Sequence, residues 1–314
     1  MTVSLADIRE AAERIEGLVH RTSVLTSEKL NELTNAELFF KCEHLQKVGA
    51  FKARGAVNAV YSLDDNVIKQ GVATHSSGNH GAALARAASL RGVPAFIVVP
   101  NNAKQVKKEA IVGYGAEIVS CEPTLKARES ALEEVVEKTG ATFIHPYDDD
   151  RIIAGQGTAA LELVDQVPDL EAVIAPIGGG GLLAGCCVVA QEKGISVYGA
   201  EPDGADDAYR SLKSGEHVTS HVPDTICDGL LTTIGVRNLE IIRGVVDDIL
   251  LTPDADTVKA MELIWTRMKQ VVEPSSAIVL AAVLNNPELF RNRRIGLILT
   301  GGNVDPANLP FSGC

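Results

Sequence analysis

PIGGGGLLAG, residues 176–185, places four consecutive glycines between a short apolar run, Ala172–Ala175, and a segment of helical period. Each glycine costs about 0.5–1 kcal/mol of chain entropy relative to alanine and has little structural use there, so a run of four signals a need for bare backbone. The expected use is a phosphate cradle, with backbone N–H groups gathered at a helix N-terminus where the dipole favours an anion. Neither a GxGxxG turn with an acidic residue about twenty positions later nor GxxxxGKS/T is present, so dinucleotide and nucleoside-triphosphate cradles fit less well.

Outward from this turn, short β-rich runs alternate with helix-period segments, the pattern of a parallel sheet covered on both faces. The strand-like runs are Glu37–Phe40, Gly71–Thr74, Ala95–Val99, Glu117–Ser120, Thr142–Ile144, Ala172–Ala175, Val197–Ala200 and Ile295–Leu299. The fold class is α/β. An opening helix starts at Ser4 with Asp7 three residues on, a capping-box pattern, and sets Leu5, Ile8, Ala12, Ile15 and Leu18 on one face that docks on the core. Ligands in such folds bind beyond the carboxyl ends of strands, which directs the search to the turns. No repeat, low-complexity tract or long linker interrupts the 314 residues, so a domain boundary must be a crossing of the chain.

A formal charge of −12 and an acidic pI argue against nucleic acid and anionic membranes, whose phosphates repel an acidic protein. No apolar run reaches the roughly 18–20 residues that span a bilayer, and the start MTVSLADIRE lacks a basic stretch followed by an apolar one. A small-molecule partner and a cytoplasmic location are expected. The six cysteines, 42, 121, 186, 187, 227 and 314, show no CxxC spacing and read as free thiols, with Cys186 and Cys187 buried. The seven histidines offer no zinc-ligand spacing either.

Three further turns carry chemistry. GAFKARGA, residues 49–56, sets Lys52 among small residues just after the run ELFFKCEHL and at the start of a helix. Desolvation there disfavours the ammonium form, and a neutral amine is what a Schiff base to an aldehyde cofactor requires. SSGNHG follows the run GVATH; Ser76 and Ser77 are candidate helix caps and Gly78 admits a ligand close to the backbone. LILTGGNVD, residues 297–305, puts the Thr300 hydroxyl at the tip of a buried strand.

In this order the four turns resemble those of the β-family, or fold type II, of pyridoxal-phosphate enzymes, the two-lobed fold of tryptophan synthase β and threonine dehydratase. Within it, SSGNHG, the four glycines, EPDGADDAYRS and the GGNVD ending are most similar to the serine racemase and 3-hydroxyaspartate dehydratase group. The resemblance runs from about Leu18 to about Asp305. It implies residues 1–70 and 149–314 as a large cofactor-binding domain and 71–148 as a small mobile one.

By the same resemblance, Lys52 is the lysine that holds pyridoxal phosphate and Phe51 lies beside its ring. Asn79 contacts the ring hydroxyl, Gly178, Gly179, Gly180 and Gly181 hold the phosphate, and Thr300 meets the ring nitrogen. Lys52 takes the α-proton of an L-amino acid on one face and Ser77 serves the other. Reprotonation by Ser77 gives the D-enantiomer; departure of a β-hydroxyl gives a keto acid and ammonia. The substrate carboxylate is expected at Ser76, Ser77, Asn79 and His80, with Arg128 nearby.

Glu201, the Ala205 carbonyl and Asp207 match a site for magnesium, with calcium or manganese as alternatives, consistent with a hard cation held by oxygens. Lys47 and Tyr114 match positions that bind ATP in some relatives, whereas Ala82 replaces a glutamine of the ATP-responsive ones and argues against ATP activation. A homodimer is implied. The resemblance therefore points to an amino-acid racemase and ammonia-lyase acting on serine, with 3-hydroxyaspartate the alternative substrate. L-threonine dehydratase and a non-catalytic cofactor carrier are the competing readings. The first is disfavoured by SSGNHGAA in place of SAGNHAQG and by the lack of a regulatory domain, the second by retention of both Lys52 and Ser77.

Overall fold

The computed structural model describes residues 3–311, so Cys314 lies outside it. Ten strands form two sheets: β1 Val24–Leu25, β2 Glu37–Lys41, β3 Val72–His75, β4 Ala95–Pro100, β5 Glu117–Cys121, β6 Thr142–Phe143, β7 Ala172–Pro176, β8 Ser196–Pro202, β9 Asp248–Thr252 and β10 Arg294–Ile298. The six-stranded sheet runs β1-β2-β10-β7-β8-β9, parallel except for β1; the four-stranded sheet runs β5-β4-β3-β6, all parallel. The second sheet is built from residues 72–143 alone, and the chain on both sides of that segment supplies the first.

Both sheets are covered on both faces, as parallel order requires. Along β7, Val173 and Ala175 pack into one apolar cluster with Ile249 and Ile298, whereas Ala172 and Ile174 pack into another with Leu250 and Leu297. The two-residue period thus divides one strand between two cores.

The expected strands are present, and two more were not anticipated: β1, which is antiparallel to β2, and β9 at the sheet edge. The opening helix, Leu5–Ile15, has the full capping box between Ser4 and Asp7. It buries Ile8, Ala11 and Ile15. Leu18 lies beyond its end, and Ala12 is only partly covered.

Three helices are stacked almost backbone to backbone. A Cβ on Gly155 would sit 2.6 Å from the Cα of Gly55, and one on Gly185 would sit 2.6 Å from the Cα of Gly157. The helices Lys52–Tyr61, Asp150–Gln166 and Gly181–Lys193 are therefore held in close register. Two of them begin at the lysine and glycine turns that the sequence marks.

Candidate active site

Lys52 opens its helix, but not directly from a strand. β2 stops at Lys41, and two 3-10 turns, Glu43–Leu45 and Lys47–Gly49, carry the chain onward. Along this route Lys41, Glu43 and Arg54 are all buried and share one ion cluster. Arg54 donates to both oxygens of Glu43 at 2.7 Å and to Glu162 at 2.8 Å, while Lys41 Nζ donates to Glu162 at 2.6 Å. Despite burial, Arg54 and Lys41 keep the Glu43 carboxyl below the usual carboxylate range.

At the end of this route Phe51 N–H donates to Thr300 O at 3.0 Å, and Ala50 bridges Gly301. Phe51, Lys52 and Thr300 are thereby brought together. Thr300 is buried two residues past the end of β10. Lys52 Nζ lies 5.2 Å from the Phe51 ring centroid and donates to Pro146 O at 2.9 Å. Burial pushes its pKa down to about 8, and no carboxylate opposes the shift.

The four glycines lie between β7 and the helix Gly181–Lys193 as expected. Their lack of side chains, however, also has a reason within the protein, which corrects the sequence reading. A Cβ on Gly178 would meet the Leu230 backbone at 2.9 Å, one on Gly179 would run into the Tyr147 ring, and one on Gly181 would meet Tyr147 O at 2.9 Å. Gly180 has φ +92°. Gly235 N–H and Asn238 Nδ2 both donate to Gly179 O, at 3.0 and 2.7 Å. Among the described residues no protein acceptor takes the N–H of Gly178, Gly179, Gly180 or Gly181, which leaves a row of donors at the helix N-terminus.

SSGNHG forms the turn before the helix Asn79–Arg91, but its serines do not cap that helix. Gly78 is the N-cap, and Ser76 Oγ accepts the Gly78 N–H at 3.4 Å. Ser76 and Ser77 are half-buried and Asn79 is in the first turn. His80 is buried, and burial followed by the charges of Lys52 and His145 lowers its pKa well below the histidine value, so it is neutral.

The other residues named from the sequence stand on further elements. Arg128, in the helix Leu125–Thr139, sits beside His75 and Cys121: burial, then the Arg128 charge, lowers the His75 pKa, whereas burial raises that of Cys121 against the Arg128 charge. Lys47 begins a 3-10 turn, and Tyr114 caps the helix Gln105–Gly113. Glu201 and Asp207 are each 1% exposed, and Ala205 is buried between them in sequence. Glu201 accepts the N–H groups of Ala208 and Tyr209 at 2.9 and 2.8 Å; Asp207 accepts that of Ile234 at 2.8 Å.

The family model of the pyridoxal-phosphate dependent enzymes matches residues 15–301. The chain belongs to that family. Serine racemase of Dictyostelium discoideum is 50% identical over 98% of this chain and 97% of its own. The beta-hydroxyaspartate dehydratase of Paracoccus denitrificans is 49% identical over 98% of both. The crystal structure of the Dictyostelium serine racemase superposes with a TM-score of 0.94, covering 97% of this chain and all of that one.

The site fits the family's cofactor. A lysine with a lowered pKa and a row of untaken backbone donors are an amine for an aldehyde and a cradle for a phosphate. Sequence reasoning missed several residues that shape this pyridoxal-phosphate enzyme's site. Tyr147 lies against the glycine loop, Asn238 ties that loop down, and Glu273 with Asn303 holds Asn79. The only signal for Tyr147 was its position just past β6, at a strand's carboxyl end.

Proposed function

We propose that the enzyme acts at the α-carbon of serine, interconverting its enantiomers and eliminating the β-hydroxyl as water, after which hydrolysis of the resulting enamine gives a keto acid and ammonia. The observation that carries this reading is the Lys52 amine, pushed down to about 8 and set on a helix stacked against the glycine-loop helix. Half-identity to a named serine racemase supports the substrate.

Bound pyridoxal phosphate supplies an aldehyde and an electron-withdrawing ring that weaken the bonds at an amino acid's α-carbon. Lys52, easily neutral, accepts the α-proton. Ser77 is the proton donor for the opposite face. The first turn of the helix Asn79–Arg91, with Ser76, Asn79 and neutral His80, takes the substrate carboxylate without adding charge. Gly178–Gly181 hold the phosphate, Phe51 lies beside the ring and Thr300 meets its nitrogen.

Glu201, Asp207 and the Ala205 carbonyl hold a divalent cation, with magnesium favoured. Burial, opposed by the helix N–H groups and reinforced by Asp207, pushes the Glu201 pKa up to about 9, and a cation bound through oxygens relieves that cost. Such a cation reaches the cofactor loop through a short path. Asp207 holds Ile234 N–H, and Gly235 N–H is bonded to Gly179 O.

The segment 71–148 is proposed as the small lobe that closes on substrate, which the separate sheet of residues 72–143 supports. A cytoplasmic homodimer completes the reading. ATP is not proposed as an activator, because Ala82 stands where responsive relatives carry glutamine.

Identity of 49% to a beta-hydroxyaspartate dehydratase supports a second reading, with 3-hydroxyaspartate as the main substrate. Chiral chromatography of reactions with L-serine and with L-threo-3-hydroxyaspartate separates the two. D-serine with pyruvate supports the first; rapid oxaloacetate formation with negligible serine turnover overturns it in favour of the second.

A further inference from the structure

His221 lies in the irregular segment between the helices Asp207–Ser214 and Val236–Arg243, and its side chain is only 7% exposed. Neither ring nitrogen has a hydrogen-bond partner among the described residues. Backbone tethers on either side hold the segment in place: Val218 N–H donates to Ser211 Oγ at 2.9 Å, and Asp224 N–H donates to Gly204 O at 2.8 Å. The His221 Nε2 atom faces Asp207 Oδ1 at 3.6 Å, while Asp207 Oδ2 is occupied by the Ile234 N–H.

A buried imidazole with neither nitrogen engaged is costly, and 3.6 Å is too long for a hydrogen bond to Asp207 to relieve it. The separation suits a shared cation instead. Two donor atoms bound to one ion at about 2.1–2.2 Å stand about 3.0–3.6 Å apart, the lower figure for octahedral and the upper for tetrahedral ligation. No three His, Cys, Asp or Glu side chains among the described residues converge on one point, and both Glu201 oxygens accept backbone N–H groups, though each keeps a lone pair. Asp207 and His221 are thus the pair that faces a common gap.

We propose that His221 is a further ligand of the divalent-cation site, adding an imidazole nitrogen to Asp207, Glu201 and the Ala205 carbonyl, so that the site binds a borderline ion such as cobalt or zinc more tightly than magnesium. This rests on the cation reading above. An all-oxygen site suits magnesium, whereas an imidazole contributes strongly to borderline ions and little to a hard one. Magnesium fills the site where it is the abundant ion; the imidazole ranks the affinities the other way.

The test is a set of dissociation constants for Co²⁺ and Mg²⁺, measured by calorimetric titration of the cofactor-loaded enzyme after chelation. The wild type should bind Co²⁺ more tightly than Mg²⁺, and His221→Ala should weaken Co²⁺ binding about tenfold or more while moving that of Mg²⁺ by less than about threefold. Unchanged Co²⁺ affinity in His221→Ala, or equal weakening of both ions, would overturn the proposal and leave an oxygen-only site. If His221→Ala does not fold, pulsed electron paramagnetic resonance of the Mn²⁺-loaded wild type decides: a directly bound imidazole nitrogen is expected in the spectrum, and its absence overturns the proposal. A wild-type protein that binds none of these ions would instead sink the cation reading, and this proposal with it.

Discussion

Lys52 Nζ donates to the carbonyl oxygen of Pro146 at 2.9 Å, an acceptor that serves the charged and the neutral amine alike. Burial lowers the folded-state pKa to about 8, from the ordinary lysine value of 10.5. The unfolded chain therefore binds more protons between those values. The cost of the ammonium is complete below about pH 8 and fades as pH rises toward 10.5. Cofactor-free Lys52→Met should thus be more stable than wild type at pH 7, by about 1–3 kcal/mol, and lose most of that advantage by pH 10. Urea unfolding at the two pH values measures it.

Ser77 stands in the turn before the helix Asn79–Arg91, and Lys52 begins another helix. If the two serve opposite faces of the substrate, Ser77→Ala should suppress D-serine formation at least tenfold more than pyruvate formation. Equal loss of both products, measured in one reaction, would remove the two-face assignment.

Asp207 holds Ile234 N–H at 2.8 Å, and the neighbouring Gly235 N–H holds Gly179 O at 3.0 Å. Chelation should therefore lower both the melting temperature and the affinity for pyridoxal phosphate, and magnesium should restore them. Asp207→Asn should abolish both responses. A melting curve unmoved by rigorous chelation would return Glu201 and Asp207 to a purely structural role.

Arg54 lies two residues beyond Lys52 and is bonded to Glu43 and Glu162 without exposure to solvent. Arg54→Ala leaves buried carboxylates unpaired, a loss of about 3–5 kcal/mol in urea unfolding. Replacing the fully buried pair by Met and Leu together should recover part of that loss, which the single variant cannot.

Much of this was readable in the sequence because chemistry-bearing residues stand at strand ends, where apolar runs break off into glycine, serine or threonine. Ala172–Ala175 before the glycines lies on a strand, and so does the expected run before SSGNHG, shifted by one residue to Val72–His75. The misses share one cause. Lys41, Glu43 and Arg54 look like surface charges until Glu162, more than a hundred residues away, comes beside them. The glycine run had a second reason, in Tyr147, Leu230 and Asn238, that no local pattern discloses. β1 exists through its antiparallel pairing with β2, and two residues carry no period to detect.

Whether Lys52 carries the cofactor is decided by borohydride treatment of the cofactor-loaded enzyme followed by peptide mass mapping, because reduction makes a lysine–pyridoxyl bond permanent. One pyridoxyl group is expected, on the peptide containing Lys52, and none in Lys52→Ala. Labelling of another lysine, or equal labelling of Lys52→Ala, would contradict that assignment.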